Sequence, residues 1–238
     1  MELLEGGDLA TFMNHLHLNL FSEKALLRLL ADCVIGIAYL HQNLGVAHFD
    51  IKPENILLDG TKKRAKIADF GMAVNPTRVN VSTPRGTFQY MPPELYSAIR
   101  ADWRVDVWSL GLTFYELATG THPFYFDLTG LTQEEIKVQM RGKILSTTIP
   151  PLTGRYFQPS PDLIQLIGKM LDTRQAQRPL IAEVINSNIL LRVVLTGILI
   201  VSLGGAAPPP QLHYSFCFFM FLHLETVFFS SEIILCIT

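Results

Sequence analysis

The chain has 238 residues, room for one large domain or two small ones, and a formal net charge of −2. That balance gives no electrostatic footprint for a nucleic-acid partner and argues against that class of function. Charged residues make up 17% and hydrophobic ones 49%, with a mean hydropathy of +0.28, but from Ile189 to Thr238 the only charges are Arg192, Glu225 and Glu232. A soluble domain to about Asn188 followed by an apolar appendage is therefore expected. Cys33, Cys217 and Cys236 lie far apart without metal-ligand spacing. Cys33 falls in an apolar helical stripe, the pattern of a buried thiol in a reducing, cytoplasmic setting. No basic segment followed by an apolar run opens the chain, so no secretory signal is expected.

In chain order, Met1 to Leu4 is short and apolar, and Glu5-Gly6-Gly7-Asp8 breaks it as a turn. A long helix is predicted from Ser22 as N-cap with Glu23 in its first turn. Leu26, Leu29, Leu30, Cys33, Val34, Ile37 and Leu40 recur at three and four and give it one buried face. Gly45 sits where a helix C-terminus favours positive φ. Ile56–Leu58 and Ala65–Ala68, separated by Asp59-Gly60, read as a small hairpin. Asn75 to Pro93, rich in Pro, Gly, Ser and Thr, reads as a long loop of the kind that carries function. Asp106 to Thr119 is apolar nearly all round and predicts a central buried helix; Pro161 to Asp172 is amphipathic; a further short helix is predicted from Leu180 to Leu191. The expected fold class is mainly α.

Asp50, Lys52 and Asn55 are packed into six residues on a turn stiffened by Pro53, between Val46-Ala47 and Ile56-Leu57-Leu58. A carboxylate, an ammonium and an amide on one rigid loop can orient a hydroxyl, neutralise phosphate charge and ligate magnesium. Fourteen residues after Asn55 comes Asp69-Phe70-Gly71, a second carboxylate on a flexible pivot. Magnesium prefers one or two carboxylates with phosphate oxygens and water, which suits Asp69 with Asn55.

From Met1 to Leu191 the chain resembles the eukaryotic protein kinase family, through several motifs in the family's order. His-Phe-Asp-Ile-Lys-Pro-Glu-Asn at 48–55 matches the catalytic loop and Asp-Phe-Gly at 69–71 the magnesium motif. Gly-Thr-Phe-Gln-Tyr-Met-Pro-Pro-Glu at 86–94 resembles the end of the activation segment, Asp-Val-Trp-Ser-Leu-Gly at 106–111 the start of the central helix, and Arg178-Pro179 the late arginine that pairs with Glu94. The resemblance implies an α+β kinase-like fold of which this chain holds the large lobe, with small β hairpins at the catalytic loop. It implies ATP and Mg2+ as cofactors and a protein bearing a Ser or Thr acceptor as partner. Lys52 followed by Pro-Glu-Asn is similar to serine/threonine rather than tyrosine kinases.

By position, the resemblance implies Asp50 as catalytic base, Lys52 at the transferring phosphate, and Asn55 and Asp69 on magnesium. Leu57 would lie under adenine, Glu2 and Leu4 would form the hinge that bonds adenine, Asp8 would approach the ribose, and Thr87 would line the acceptor site. His48 and Phe70 read as packing residues, Asp106 as the acceptor of catalytic-loop N–H groups, and Glu94 with Arg178 as a buried ion pair. His15, His17, His122 and His213 have no ligand-like partners and are assigned nothing.

Two departures alter the expectation. Phe49 stands where most of the family has an arginine that receives an activation-segment phosphate, so Ser82 and Thr83 read as ordinary loop hydroxyls, with Arg85 offering a compensating charge by position alone. Met1 aligns just before the hinge, so the glycine-rich loop, the phosphate-binding lysine and its helix glutamate are expected to be missing, and with them most activity. A reading frame begun at an internal methionine and a lobe-only, pseudokinase-like interaction module both fit. The remaining stretch is divided at 191: residues 192–238 form an apolar tail, helical or disordered. Candidate membrane spans run over 189–207 and 212–237, the first close to the ~20 residues a bilayer requires. A translated intron or alternative exon fits this tail equally, as does completion of the last domain helix by its first residues.

Overall fold

The computed structural model of the chain describes residues 4–16, 21–79, 81, 85–97 and 99–202, with side chains described to 195. Glu2, Ser82, Thr83 and the stretch from 203 onward, including the candidate span 212–237, lie outside the described residues. The first helix, α1 (Leu9–Asn14), starts where the Asp8 carboxylate accepts the N–H of Thr11 at 2.7 Å. The long helix α2 (Glu23–Gln42) begins as predicted: Ser22 Oγ accepts the N–H of Ala25, and the apolar stripe from Leu26 to Leu40 is buried. Burial also pushes the Cys33 thiol well up, keeping it protonated.

Strands β1 (Ile56–Leu58) and β2 (Ala65–Ile67) pair antiparallel with Ile56 opposite Ile67. Asp59 closes their connection by accepting the N–H groups of Lys63 and Arg64. The hairpin is tied to α2 by Asp32, whose carboxylate takes the Arg64 guanidinium at 2.9 and 3.1 Å and the N–H of Ala65 at 3.0 Å. Gly6 and Gly7 run along the other edge of β1, with Gly6 N–H donating to Leu58 O and Leu58 N–H to Gly7 O. A Cβ at Gly6 would fall 2.1 Å from Asp59 O, so this close approach requires glycine.

Short α3 (Pro93–Tyr96) leads to α4 (Arg104–Thr119), buried nearly all round as its composition predicts. It ends at Gly120, whose φ of 72° supplies a left-handed cap. Helix α5 (Gln133–Ser146) opens with a reciprocal capping box between Thr132 and Glu135, a local signal that apolar periodicity does not reveal. Helix α6 (Pro161–Met170) is capped by Ser160, and Ser160 is itself held by Glu23 at the start of α2 through two 2.7 Å bonds. Where one helix was predicted from Leu180 to Leu191 there are two, α7 (Ile181–Ile185) and α8 (Asn188–Ser202). Asn186, Ser187 and Asn188 fall at the break, where short polar side chains compete for backbone hydrogen bonds.

Helix α8 runs unbroken past residue 191, and its first turns pack inward: Leu190 is buried and Ile189, Val193 and Val194 lie against the core. Among the described residues, α2 is the helix long and apolar enough to cross a membrane, and its apolar face is the domain core. Helices dominate and β1–β2 is the one sheet among the described residues, so the fold is mainly α.

A buried ion pair joins the centre of the chain to its C-terminal helices. Arg178 donates to both carboxylate oxygens of Glu94, at 2.8 and 3.0 Å, and to the carbonyls of Arg104 and Asp172, while its guanidinium lies 5.0 Å from the Trp108 ring centroid. Both side chains are withdrawn from water. Replacing Arg178 with Met, which leaves the Glu94 carboxylate buried and unpaired, should lower unfolding free energy in urea by about 3–5 kcal/mol, whereas the double replacement Glu94→Leu/Arg178→Met should recover most of that loss.

Candidate active site

The loop from His48 to Asn55 is anchored from outside itself. Asp106, in the first turn of α4, is fully buried and accepts the N–H of His48 at 2.7 Å, the N–H of Phe49 at 2.9 Å and His41 Nε2 at 2.8 Å. Burial alone would raise its pKa, but the bond and charge of His41 and the contacts from His48 outweigh this and hold it below the usual carboxylate range. The grip is needed because Phe49 adopts φ 67°, a left-handed conformation that costs a non-glycine residue about 1–3 kcal/mol.

The left-handed residue precedes Asp50 and divides the loop. Phe49 enters a second, smaller apolar cluster with Met91, Leu95 and Val105, and Asp50 meets the polar groups. Asp50 Oδ1 accepts the N–H and the hydroxyl of Thr87, both at 2.8 Å, and Oδ2 faces Lys52 Nζ and Asn55 Nδ2, both at 3.1 Å. Lys52 Nζ also donates to Thr87 Oγ1 at 2.8 Å, and Asn55 Nδ2 to the carbonyl of Asp50 at 2.8 Å. Partial burial pushes the Asp50 pKa up, yet the bonds from Thr87 and Lys52 more than reverse this and leave it lowered. The carboxylate is thus ionised and aimed.

The second carboxylate is brought alongside by backbone. Ala68 N–H donates to Asn55 O at 2.9 Å, and His48 Nε2 donates to Ala68 O at 3.0 Å while its Nδ1 accepts the N–H of Asp50, which assigns the tautomer. The rings of His48 and Phe70 meet edge to face with centroids 5.3 Å apart. Asp69, at φ 61°, is exposed, with Oδ1 accepting the N–H of Gly71.

At the other edge, Leu57 lies in β1 opposite Asp8, and Leu4 stands two residues before Gly6. The Asp8 carboxylate serves as the α1 cap, an occupation the motif reading did not anticipate. Among the described residues no cluster of three or more His, Cys, Asp or Glu is placed to hold a metal, so Asn55 and Asp69 are the donors to consider.

Two participants were given no role by sequence reasoning. His41, in the last turn of α2, reaches Asp106 from 65 residues away, and no local pattern marks it. Gly86 crosses the catalytic loop at φ 90°, where a Cβ would fall 2.1 Å from Phe49 O; its place directly before Thr87 was the available signal. Gly86→Ala should push the segment off the loop, break the Thr87 bonds and raise the Asp50 carboxyl pKa, read by NMR titration. Asp106→Asn should destabilise the fold near neutral pH. Because the folded-state pKa of Asp106 is depressed, its stabilisation is full above the unfolded value of about 3.9 and is lost as pH falls through the folded one, so wild type and variant should converge in acid unfolding.

Known proteins resemble this chain in sequence. Residues 1–190 match the protein kinase domain family. The chain is 32% identical over 196 residues to serine/threonine-protein kinase Nek8 of Danio rerio, covering 82% of this chain and 26% of that protein. It is 34% identical over 195 residues to serine/threonine-protein kinase STY17 of Arabidopsis thaliana, covering 81% and 32%. It is 31% identical over 196 residues to MAP kinase-activated protein kinase 2 of Oryctolagus cuniculus, covering 78% and 50%. The chain therefore spans from about a quarter to half the length of these curated relatives. A family match over this stretch, with the catalytic loop and Asp69–Gly71 joined as described, makes the chain a member of the protein kinase domain family.

Proposed function

We propose that this site transfers the γ-phosphoryl group of ATP to a serine or threonine hydroxyl of a protein substrate. One observation carries the reading: an ionised Asp50 held on one oxygen by Thr87 and faced on the other by Lys52 and Asn55. A carboxylate so placed can accept the proton of an incoming hydroxyl, and Thr87, bonded to both Asp50 and Lys52, lines the position that hydroxyl would take. The Lys52 ammonium supplies fixed positive charge where negative charge develops, without reorganisation during the reaction. The serine/threonine-protein kinase names of two of the relatives agree with this acceptor class.

Magnesium bound with ATP would neutralise phosphate charge and orient the transferring group. Asn55 spends its amide nitrogen on Asp50, so its oxygen is the atom it would turn to a cation, and exposed Asp69 supplies a carboxylate. Leu57 on β1 would pack under the base, with Leu4 and Glu2 at the adenine edge and Asp8 toward the ribose.

The test is transfer of labelled phosphate from Mg·ATP to a general protein acceptor by the full chain. Asp50→Asn, nearly isosteric, should lower the rate by about 10²–10⁴-fold. Transfer unaffected by that change would sink the assignment, and no transfer by the wild-type chain would favour a non-catalytic interaction module. The pH profile gives a second check: a base acts when deprotonated, and a lowered Asp50 pKa keeps the acid limb below the usual carboxylate range. Thr87→Val removes one of the bonds holding that pKa down and should move the limb to higher pH.

A further inference from the structure

The face formed by α2 and the β1–β2 hairpin gathers cations that the candidate active site does not use. Lys24, Arg28 and Asp32 are spaced four apart on α2 and share one side of the helix, each about 6 Å along the axis from the next. Asp32 ends this row by holding the Arg64 guanidinium and the N–H of Ala65. Farther along, Ile67 lies against Gly36, so β2 runs in the same direction as α2. Lys62, Lys63 and Arg64 precede β2 and therefore lie toward the end of α2 that carries Arg28 and Lys24. Lys62 Nζ is 5.7 Å from the ring centroid of half-buried Phe12, which borders the cations with an apolar surface.

The neighbouring carboxylates are engaged elsewhere. Asp32 is paired with Arg64, and Asp59 turns into the hairpin loop to accept the Thr61 hydroxyl and the N–H groups of Lys63 and Arg64. Glu23 holds Ser160 and Asp8 caps α1. Among the described residues, Lys24, Arg28, Lys62 and Lys63 have no carboxylate within ion-pair distance. Three of these positions also run against local preference. Lys24 is in the first turn of α2, where the helix end favours an anion, and Arg28 one turn on makes a like-charge pair with it. Lys62 takes φ 56°, a left-handed conformation that favours glycine or asparagine. All four side chains are exposed, so core packing does not offset these costs. Positions that break local rules without a gain inside the fold point to function.

We propose that Lys24, Arg28, Lys62 and Lys63 form a docking surface for an acidic segment of a partner protein, with Phe12 receiving an apolar side chain of that segment. Charge complementarity sets the class. Carboxylates two apart on an extended segment, or four apart on a helix, repeat at about 6–7 Å, the spacing of Lys24 and Arg28. Nucleic-acid binding neutralises about 6–10 phosphates, more than this face offers. Membrane-surface binding draws on apolar side chains that insert, and here Phe12 is half-buried beneath Lys62. The surface lies off the catalytic loop, so the proposal goes beyond the phosphotransfer reading and does not rest on it.

Fluorescence anisotropy with the full chain and a short labelled peptide alternating glutamate with leucine tests the surface. The pairs Lys24→Glu/Arg28→Glu and Lys62→Glu/Lys63→Glu should each weaken binding by roughly 10-fold, the scale of losing two exposed ion pairs and meeting repulsion instead. Reversing Arg141 and Lys169, exposed cations on α5 and α6, should leave binding within about 2-fold of wild type. The same peptide with glutamine in place of glutamate should not bind. Absence of binding by the wild type would overturn the proposal, as would an equal loss in the Arg141 and Lys169 control or binding of the glutamine peptide. Tighter binding of phosphatidylserine vesicles or of a short DNA duplex through the same four residues would also overturn it, in favour of those partners. Phosphate transfer should be unchanged in both variant pairs. Should peptide binding follow this pattern while no form of the chain transfers phosphate, the docking surface stands and the phosphotransfer reading fails.

Discussion

Everything at the candidate site depends on the buried carboxylate of Asp106. It sits in the first turn of α4, where the N-terminal end of the helix favours negative charge, and it spends both oxygens on groups outside that helix. Two successive backbone N–H groups converge on it, which forces the chain between His48 and Phe49 into a tight path and supports the left-handed turn at Phe49. His41 supplies the third contact and anchors α2 to the same point. A charge so far from water is tolerated because every interaction aimed at it is favourable. The rigidity of the catalytic loop is thus bought in the core, away from where chemistry would occur.

The left-handed turn explains how neighbouring residues come to do unlike work. Phe49 enters an apolar cluster while Asp50, one residue later, meets an ammonium, an amide and a hydroxyl. Gly86 passes close enough to touch the carbonyl of Phe49, and this brings Thr87 into reach of Asp50. Stability and reactivity are therefore layered. Apolar packing and the Glu94–Arg178 pair hold the segment from one side, and Asp50 holds it from the other.

Local chemistry in the sequence was enough for the elements with strong periodicity or caps. The α2 stripe, its Ser22 cap, the hairpin at Ile56 and Ala65 and the buried α4 are all legible, because each is set by residues a few positions apart. Helix α5 carries a capping box that apolar spacing overlooks, and the break between α7 and α8 depends on three short polar residues within an otherwise apolar run. Gly6 and Gly7 read as an ordinary turn, and their pairing along β1 could not be seen, since it needs Leu58, more than fifty residues away.

For the site, the order of motifs by itself determined the family and pointed to Asp50, Lys52, Asn55 and Asp69 as candidates, because the residue types that handle phosphate and magnesium are few and their spacing is restrictive. What only the tertiary structure decided is how those groups are held: the three contacts on Asp106, the crossing at Gly86 and the apolar surroundings of Phe49. The contacts on Asp106 and the crossing at Gly86 join segments between 37 and 65 residues apart in the chain, Gly86 to Phe49 at one end and His41 to Asp106 at the other. Such contacts follow from packing, and packing is a property of the whole fold rather than of any window of sequence.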